Sequence, residues 1–140
     1  MEQRDFLEDQ IEQIGKFLGK ILSDFFMLKS IGEVTQGIEI SRQTLQSKLD
    51  IDVEKIIFFN KKELEEYVRN RKLTESHLEL LSEYFKELAL AKIKIDKSDP
   101  DLCLHKAIEL LDIADEISKT MSFIRINKKD KIKNMLQHSL

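Results

Sequence analysis

DFLEDQIEQIGKFLGKILSDFFMLK, residues 5–29, sets Leu7, Ile11, Ile14, Leu18, Ile21, Phe25 and Leu28 at alternating steps of four and three. That spacing is the 3.5-residue seam of a helix that buries one stripe against other helices. Phe6, Phe17, Leu22 and Phe26 widen the stripe. A helix of about 24 residues is roughly 36 Å long, enough to run the length of a small domain. The pattern therefore predicts a helical assembly, with the first helix starting near residues 3–5 and ending near Leu28. Gly15 and Gly19 lie four apart within it, which predicts another element passing close at that point, at a helix-propensity cost of about 1 kcal/mol each.

Composition points the same way. One proline and four glycines in 140 residues leave few breakpoints, and the chain is rich in Leu, Ile, Glu and Lys. Charged residues are 35% and hydrophobic residues 41%, a globular balance rather than a disordered one. The length suits one domain with a real core. Twenty-three Lys and Arg against 26 Asp and Glu give a formal charge of −3, so no global field attracts nucleic acid or an anionic membrane. A single cysteine excludes an intrachain disulfide. MEQRDFLEDQ is charged from residue 2 and shows no secretory leader, and no apolar run approaches a membrane span. These features predict a soluble cytoplasmic protein.

Further helices follow in order. Ser30, with Glu33 three residues on, is expected to cap a second helix whose apolar face is Ile31, Val34, Ile38, Leu45 and Leu49, with Gly37 inside it. Residues 50–52 read as a turn, and Val53, Ile56, Ile57, Phe58 and Phe59 as one or two helical turns that plug the core. Asn60 and Glu63 form a capping box for a short helix that buries Leu64, Tyr67 and Val68 and ends in the cations Arg69–Lys72. Thr74 opens a long helix with a main stripe of Leu78, Leu81, Phe85, Leu88 and Ile95 and a second of Leu80, Tyr84 and Ala91. Asp99 and Pro100 are a favoured N-cap and first helical residue. The helix they open should run to about Met121, with Leu104, Ala107, Leu111, Ala114, Ile117 and Met121 on one face. The short connection makes these two helices an antiparallel hairpin. Asn127 is expected to cap a last helix with Ile132, Met135 and Leu136 inward. The reading is one all-α domain, 1–140, of five to seven helices: N-terminal helices over 1–72, then a hairpin and terminal helix over 73–140.

Lys106-Ala107-Ile108-Glu109-Leu110-Leu111-Asp112-Ile113-Ala114-Asp115 resembles the second helix of a tetratricopeptide repeat, where small residues stand seven apart with a large apolar residue four after the first. Ala107, Leu111 and Ala114 occupy those places. The wider order also resembles an uncharacterised family of small bacterial all-helical proteins of tetratricopeptide-like character. That order is the Asp-Phe-Leu and Ile-Glu-Gln-Ile opening, the Leu49-Asp50-Ile51-Asp52 turn, Glu63-Leu64, Leu80-Leu81-Ser82-Glu83-Tyr84 and Ala107-Ile108-Glu109-Leu110-Leu111. The resemblance implies a fold and transfers no site.

Catalytic and metal chemistry find little footing. Cys103 and His105 are two apart, pointing about 200° apart on a helix. His77 and His105 begin successive antiparallel helices and so stand at opposite ends of the pair, and His138 lies near the end. The expected state is a half-buried cysteine and surface histidines. Glu63, Glu65 and Glu66, Glu83 and Glu87, and Asp112, Asp115 and Glu116 read as solvated faces rather than acid–base pairs. Glu75, His77 and Glu79 lack the Glu-x-x-His spacing of a diiron bundle, and no phosphate loop or nucleophile elbow is present. Ile40-Ser41-Arg42-Gln43-Thr44-Leu45 imitates the start of a recognition helix, but the apolar spacing runs straight through it. Arg69–Lys72 and Lys128–Lys133 are short basic clusters without interleaved aromatics. No catalytic, cofactor or metal residue is assigned, and no cofactor is expected.

The remaining signal is surplus apolar surface, which Phe25-Phe26-Met27-Leu28 and Ile56-Ile57-Phe58-Phe59 increase. It predicts a non-catalytic interaction module with an apolar groove beside the Pro100–Met121 helix. The groove would take a partner helix or peptide, and the first-helix seam a second copy. A small regulatory nucleic-acid binder is the alternative.

Overall fold

The computed structural model describes residues 2–95 and 100–138, and the side chains of 8–94 and 100–137 within them. The described residues form seven α-helices and no strand: α1 (Glu2–Ser30), α2 (Val34–Leu49), α3 (Val53–Ile56), α4 (Lys61–Arg71), α5 (Glu75–Ile95), α6 (Asp101–Ser118) and α7 (Phe123–His138). The protein is all-α, as the periodicity predicts. Its contacts gather into two compact units, Met1–Val53 and Glu54–Leu140. The side chains of Phe6, Leu7, Ile95 and His138, and the cap expected at Asp99, lie outside the described residues.

In the first unit α1 and α2 pack together. The turn between them differs from the expected one. Ser30 is the last residue of α1, and its hydroxyl donates back to the Met27 carbonyl. The Gly32 N–H donates to the Lys29 carbonyl and the Glu33 N–H to the Leu28 carbonyl, at 3.1 and 2.8 Å. That pair of bonds is a Schellman closure, and it needs a left-handed residue at Gly32, where φ is +83°. Glycine at that position ends α1 and sets the start of α2, which has no side-chain cap.

Leu18, Ile21, Leu22 and Phe25 of α1 are buried, as are Ile38, Leu45 and Leu49 of α2. Ile11, Phe26, Met27 and Ile31 are exposed instead, so only the second half of the α1 seam is covered. The close-packed glycine is Gly37, not Gly19. A β-carbon built on Gly37 would lie 3.3 Å from the Leu28 β-carbon, whereas one on Gly19 meets nothing within 4 Å. Opposite outcomes are expected in denaturant titrations. Gly19→Ala stabilises by about 0.5–1 kcal/mol through helix propensity alone. Gly37→Val destabilises by about 1–3 kcal/mol through overpacking against α1.

In the second unit α5 and α6 form the central pair, and α7 packs on α6. The Ser82 hydroxyl of α5 donates to the Ala107 carbonyl of α6 at 2.8 Å. Ala89, Ala91, Ala107 and Ala114 are wholly buried, and these small side chains let backbones approach. Arg125 of α7 reaches both Glu75 and Glu79 at the start of α5 and Asp115 near the end of α6, so α5 and α6 run antiparallel. The core adds Leu78, Leu81, Tyr84, Phe85, Leu88, Leu104, Leu110, Leu111 and Ile132. α4, expected among the N-terminal helices, belongs to this unit. Lys61 pairs with Glu116 of α6 at 3.2 Å, and Lys106 of α6 donates to the Phe59 carbonyl just before α4.

Candidate functional site

Three local devices position the walls of the site. The Asn60 side chain accepts from the Glu63 N–H at 2.8 Å and the Glu63 carboxylate accepts from the Asn60 N–H at 3.0 Å, the capping box the sequence predicts for α4. The other end of α4 is closed by Lys72, whose φ is +55°. Its N–H donates to the Arg69 carbonyl and that of Leu73 to the Val68 carbonyl, both at 3.1 Å. This second Schellman closure turns Leu73 into the core. A side chain in the left-handed region is strained by about 1 kcal/mol. Lys72→Gly is accordingly expected to stabilise the protein by about that amount, read as a rise in the denaturation midpoint.

The third device is at the start of α5. The Thr74 hydroxyl accepts from the His77 N–H at 3.3 Å, and His77 Nδ1 accepts from the Thr74 N–H at 3.1 Å. This is a capping box in which histidine takes the place of Glu or Gln. His77 is buried rather than on the surface. Cys103 is buried rather than half-buried, and desolvation pushes its thiol above the usual range. His105 is exposed, as expected. His77 and His105 stand at opposite ends of the antiparallel pair. Among the described residues no three His, Cys, Asp or Glu side chains are grouped to hold a metal ion. Ile40–Leu45 lies inside α2, unbroken from Val34, with Ser41 buried. No turn interrupts the helix between Val34 and this stretch.

α6 ends earlier than expected. Lys119 adopts the left-handed conformation, its N–H donating to the Asp115 carbonyl at 2.9 Å, and the chain turns away there. Met121, expected on the inner face, is 80% exposed, and Ile117 is exposed too. α7 also begins before Asn127. Ser122 caps it by accepting from the Arg125 N–H at 3.3 Å.

The start of α7 is tied down by an ionic cluster with no sequence signature. Arg125 is only 5% exposed. It hydrogen bonds to Asp115, Glu75, the Ser118 hydroxyl and the Thr120 carbonyl. Lys129 bridges Asp112 and Asp115. Burial pushes the Asp115 carboxyl up, but hydrogen bonds from Lys129 and Arg125 outweigh it and hold the group below its ordinary value. Hydrogen bonding to Asp115 raises Arg125. Burial lowers Lys129, and its hydrogen bonds to Asp112 and Asp115 more than reverse that. Asp112 and Asp115 are thus structural partners rather than solvated surface charges.

These devices leave a groove of about 320 Å³ between α4 and α6. Val68, Leu73 and Ile113 form its apolar floor, and Ile117 its exposed apolar edge. Glu65, Arg69, Lys72 and Glu116 line it with charges of both signs. Lys61 hydrogen bonds to Glu116, which raises the Lys61 ammonium above its ordinary value. Four exposed large apolar residues lie on or just after the last turn of α6: Ile117, Met121, Phe123 and Ile124.

No family model matches the chain, nor does any curated protein or solved structure. Among the described residues no helix is long and apolar enough to cross a membrane.

Proposed function

We propose that the chain is a non-catalytic helical interaction module of the cytoplasm, and that the α4–α6 groove receives an amphipathic helix of a partner protein. The observation that carries this reading is the apolar floor of Val68, Leu73 and Ile113 opening onto exposed Ile117. A groove of that form takes the spaced apolar anchors of a helix, while a rim of both signs selects its flanking charges. The reading treats α5 and α6 as a tetratricopeptide-like hairpin. The fully buried Ala107, Leu111 and Ala114 support it. It also places the chain with the uncharacterised bacterial helical family that its sequence resembles.

The test is affinity capture from native cytoplasm with wild type and Ile117→Glu in parallel. One protein captured in stoichiometric amount by wild type is expected to be lost with Ile117→Glu while circular dichroism stays unchanged. Equal capture by both proteins would overturn the groove as the docking site. A salt-sensitive gel shift with mixed-sequence DNA, retained by Ile117→Glu, would favour the nucleic-acid reading instead.

A further inference from the structure

We propose that the cleft between α5 and α7 binds a small phosphorylated anion through Lys86, Lys128 and Lys131. This goes beyond the groove reading and uses different residues, all within the second unit.

The cleft has a volume of about 230 Å³ and is lined by Ser82, Glu83 and Lys86 of α5 and by Lys128, Lys131 and Ile132 of α7. Ser82 and Ile132 are buried and form its floor. The Ser82 hydroxyl gives its proton to the Ala107 carbonyl, so the lysines are the donors left to the cleft. Lys128 and Lys131 stand three residues apart, on one flank of α7. Lys133, two residues beyond Lys131, points about 200° away round the helix and takes no part.

The carboxylates nearby already have partners. Lys86 holds Glu83 at 2.8 Å and reaches Glu87 at 3.7 Å. Glu79, one turn before Glu83, faces Arg125 at 3.8 Å. Lys128 and Lys131 share the cleft with Glu83, yet among the described residues they form no ion pair. With Glu83 and Glu87 both counted, three cations face two carboxylates, and the excess rests on the two α7 lysines. Like charges one turn apart weaken a helix. No ion pair offsets that cost here. A local rule broken without structural gain marks a site of function. An anion seated between Lys86 and the α7 pair removes the repulsion.

Size and chemistry select the ligand. The cleft lies below the roughly 300–1,000 Å³ of pockets that enclose drug-sized molecules. A phosphate or diphosphate group suits it, since ammonium groups bind such oxyanions through charge-assisted hydrogen bonds. None of the lining residues is aromatic, so the cleft offers nothing on which a nucleobase stacks. The phosphate itself is what it recognises.

The test is thermal melting of the full chain in sodium pyrophosphate, with sodium chloride balancing the ionic strength. The wild-type melting temperature is expected to rise with pyrophosphate and to saturate, as for any ligand of the folded state. A double variant, Lys128→Gln with Lys131→Gln, loses this rise, its affinity weakened by about tenfold or more. Without ligand the double variant melts no lower than wild type, since it sheds a repulsion and no ion pair. Lys133→Gln keeps the wild-type response. No saturable rise in wild type, an equal rise in the double variant, or loss of the rise in Lys133→Gln would each overturn the proposal. A double variant that melts below wild type without ligand would do the same, by showing the lysines to be structural. A response to single-stranded RNA with none to pyrophosphate would also overturn it, and would assign the lysines to a nucleic-acid surface.

Discussion

Leu111→Glu abolishes the cooperative unfolding transition of the α4–α7 helices. Leu111 has no exposed surface and sits mid-helix between the equally buried Ala107 and Ala114. Losing the leucine forfeits about 1.5–3 kcal/mol of burial. The carboxylate that replaces it has no partner, and burying it costs several kcal/mol more unless it is neutralised or the site opens to water. Together these approach or exceed the roughly 5–15 kcal/mol that holds a typical domain. The measurement is thermal melting followed by circular dichroism at 222 nm. Ile117→Glu, one and a half turns further along the same helix but exposed, controls for helix propensity and is expected to melt like wild type. A cooperative wild-type transition in Leu111→Glu would show that the α5–α6 interface tolerates water, and would contradict the packing described above.

Arg125→Ala is the second large effect, at about 3 kcal/mol of destabilisation. The guanidinium is buried and joins α5, α6 and the turn before α7. Its removal leaves Glu75 and Glu79 facing Asp115 with one cation, Lys129, still bound to Asp115. Because Asp115 retains that partner and is partly solvated, the loss lies at the lower end for a broken buried pair. The cluster also predicts a pH window. Asp115 is held below its ordinary value, so its contribution is present above the unfolded carboxylate value of about 3.9 and is lost as pH falls through the lower folded value. Lys129 is raised, so its contribution is complete below about 10.4 and is lost as pH rises through the higher folded value. The stability difference between wild type and Asp115→Asn is therefore expected to be flat between these limits and to shrink on the acid side first. A difference that persists unchanged to pH 2 would show that Asp115 acts through packing and not through its charge.

Helix existence and most helix ends were legible because they rest on neighbours in the chain. Asn60 and Glu63 close their own loop three residues apart, so the cap is written in the sequence and is found in the structure. The inward stripe from Leu78 to Leu88 follows from the 3.6-residue period alone. Where two local signals compete, the sequence does not choose between them. Ser30 has the chemistry of an N-cap, yet Gly32 tolerates the left-handed turn that closes α1, and the closure satisfies two carbonyls at once. Likewise Lys119 turns the chain before Met121 can reach the core.

The candidate site was legible only in part. A groove beside α6 was expected only from surplus apolar surface in general, which the sequence places on the first helix and on residues 25–28 and 56–59. That α4 supplies its other wall depends on Lys61 meeting Glu116 and on Lys106 reaching Phe59, pairs separated by 55 and 47 residues. Arg125 is no different from any surface arginine until three helices bring Glu75, Glu79 and Asp115 around it. Sequence by itself determined which helices exist and the all-α class, because hydrogen bonds within a helix and the apolar period are local. Tertiary structure alone decided which cations are buried, which glycine is packed and which apolar residues remain for a partner, because burial is set by residues distant in sequence.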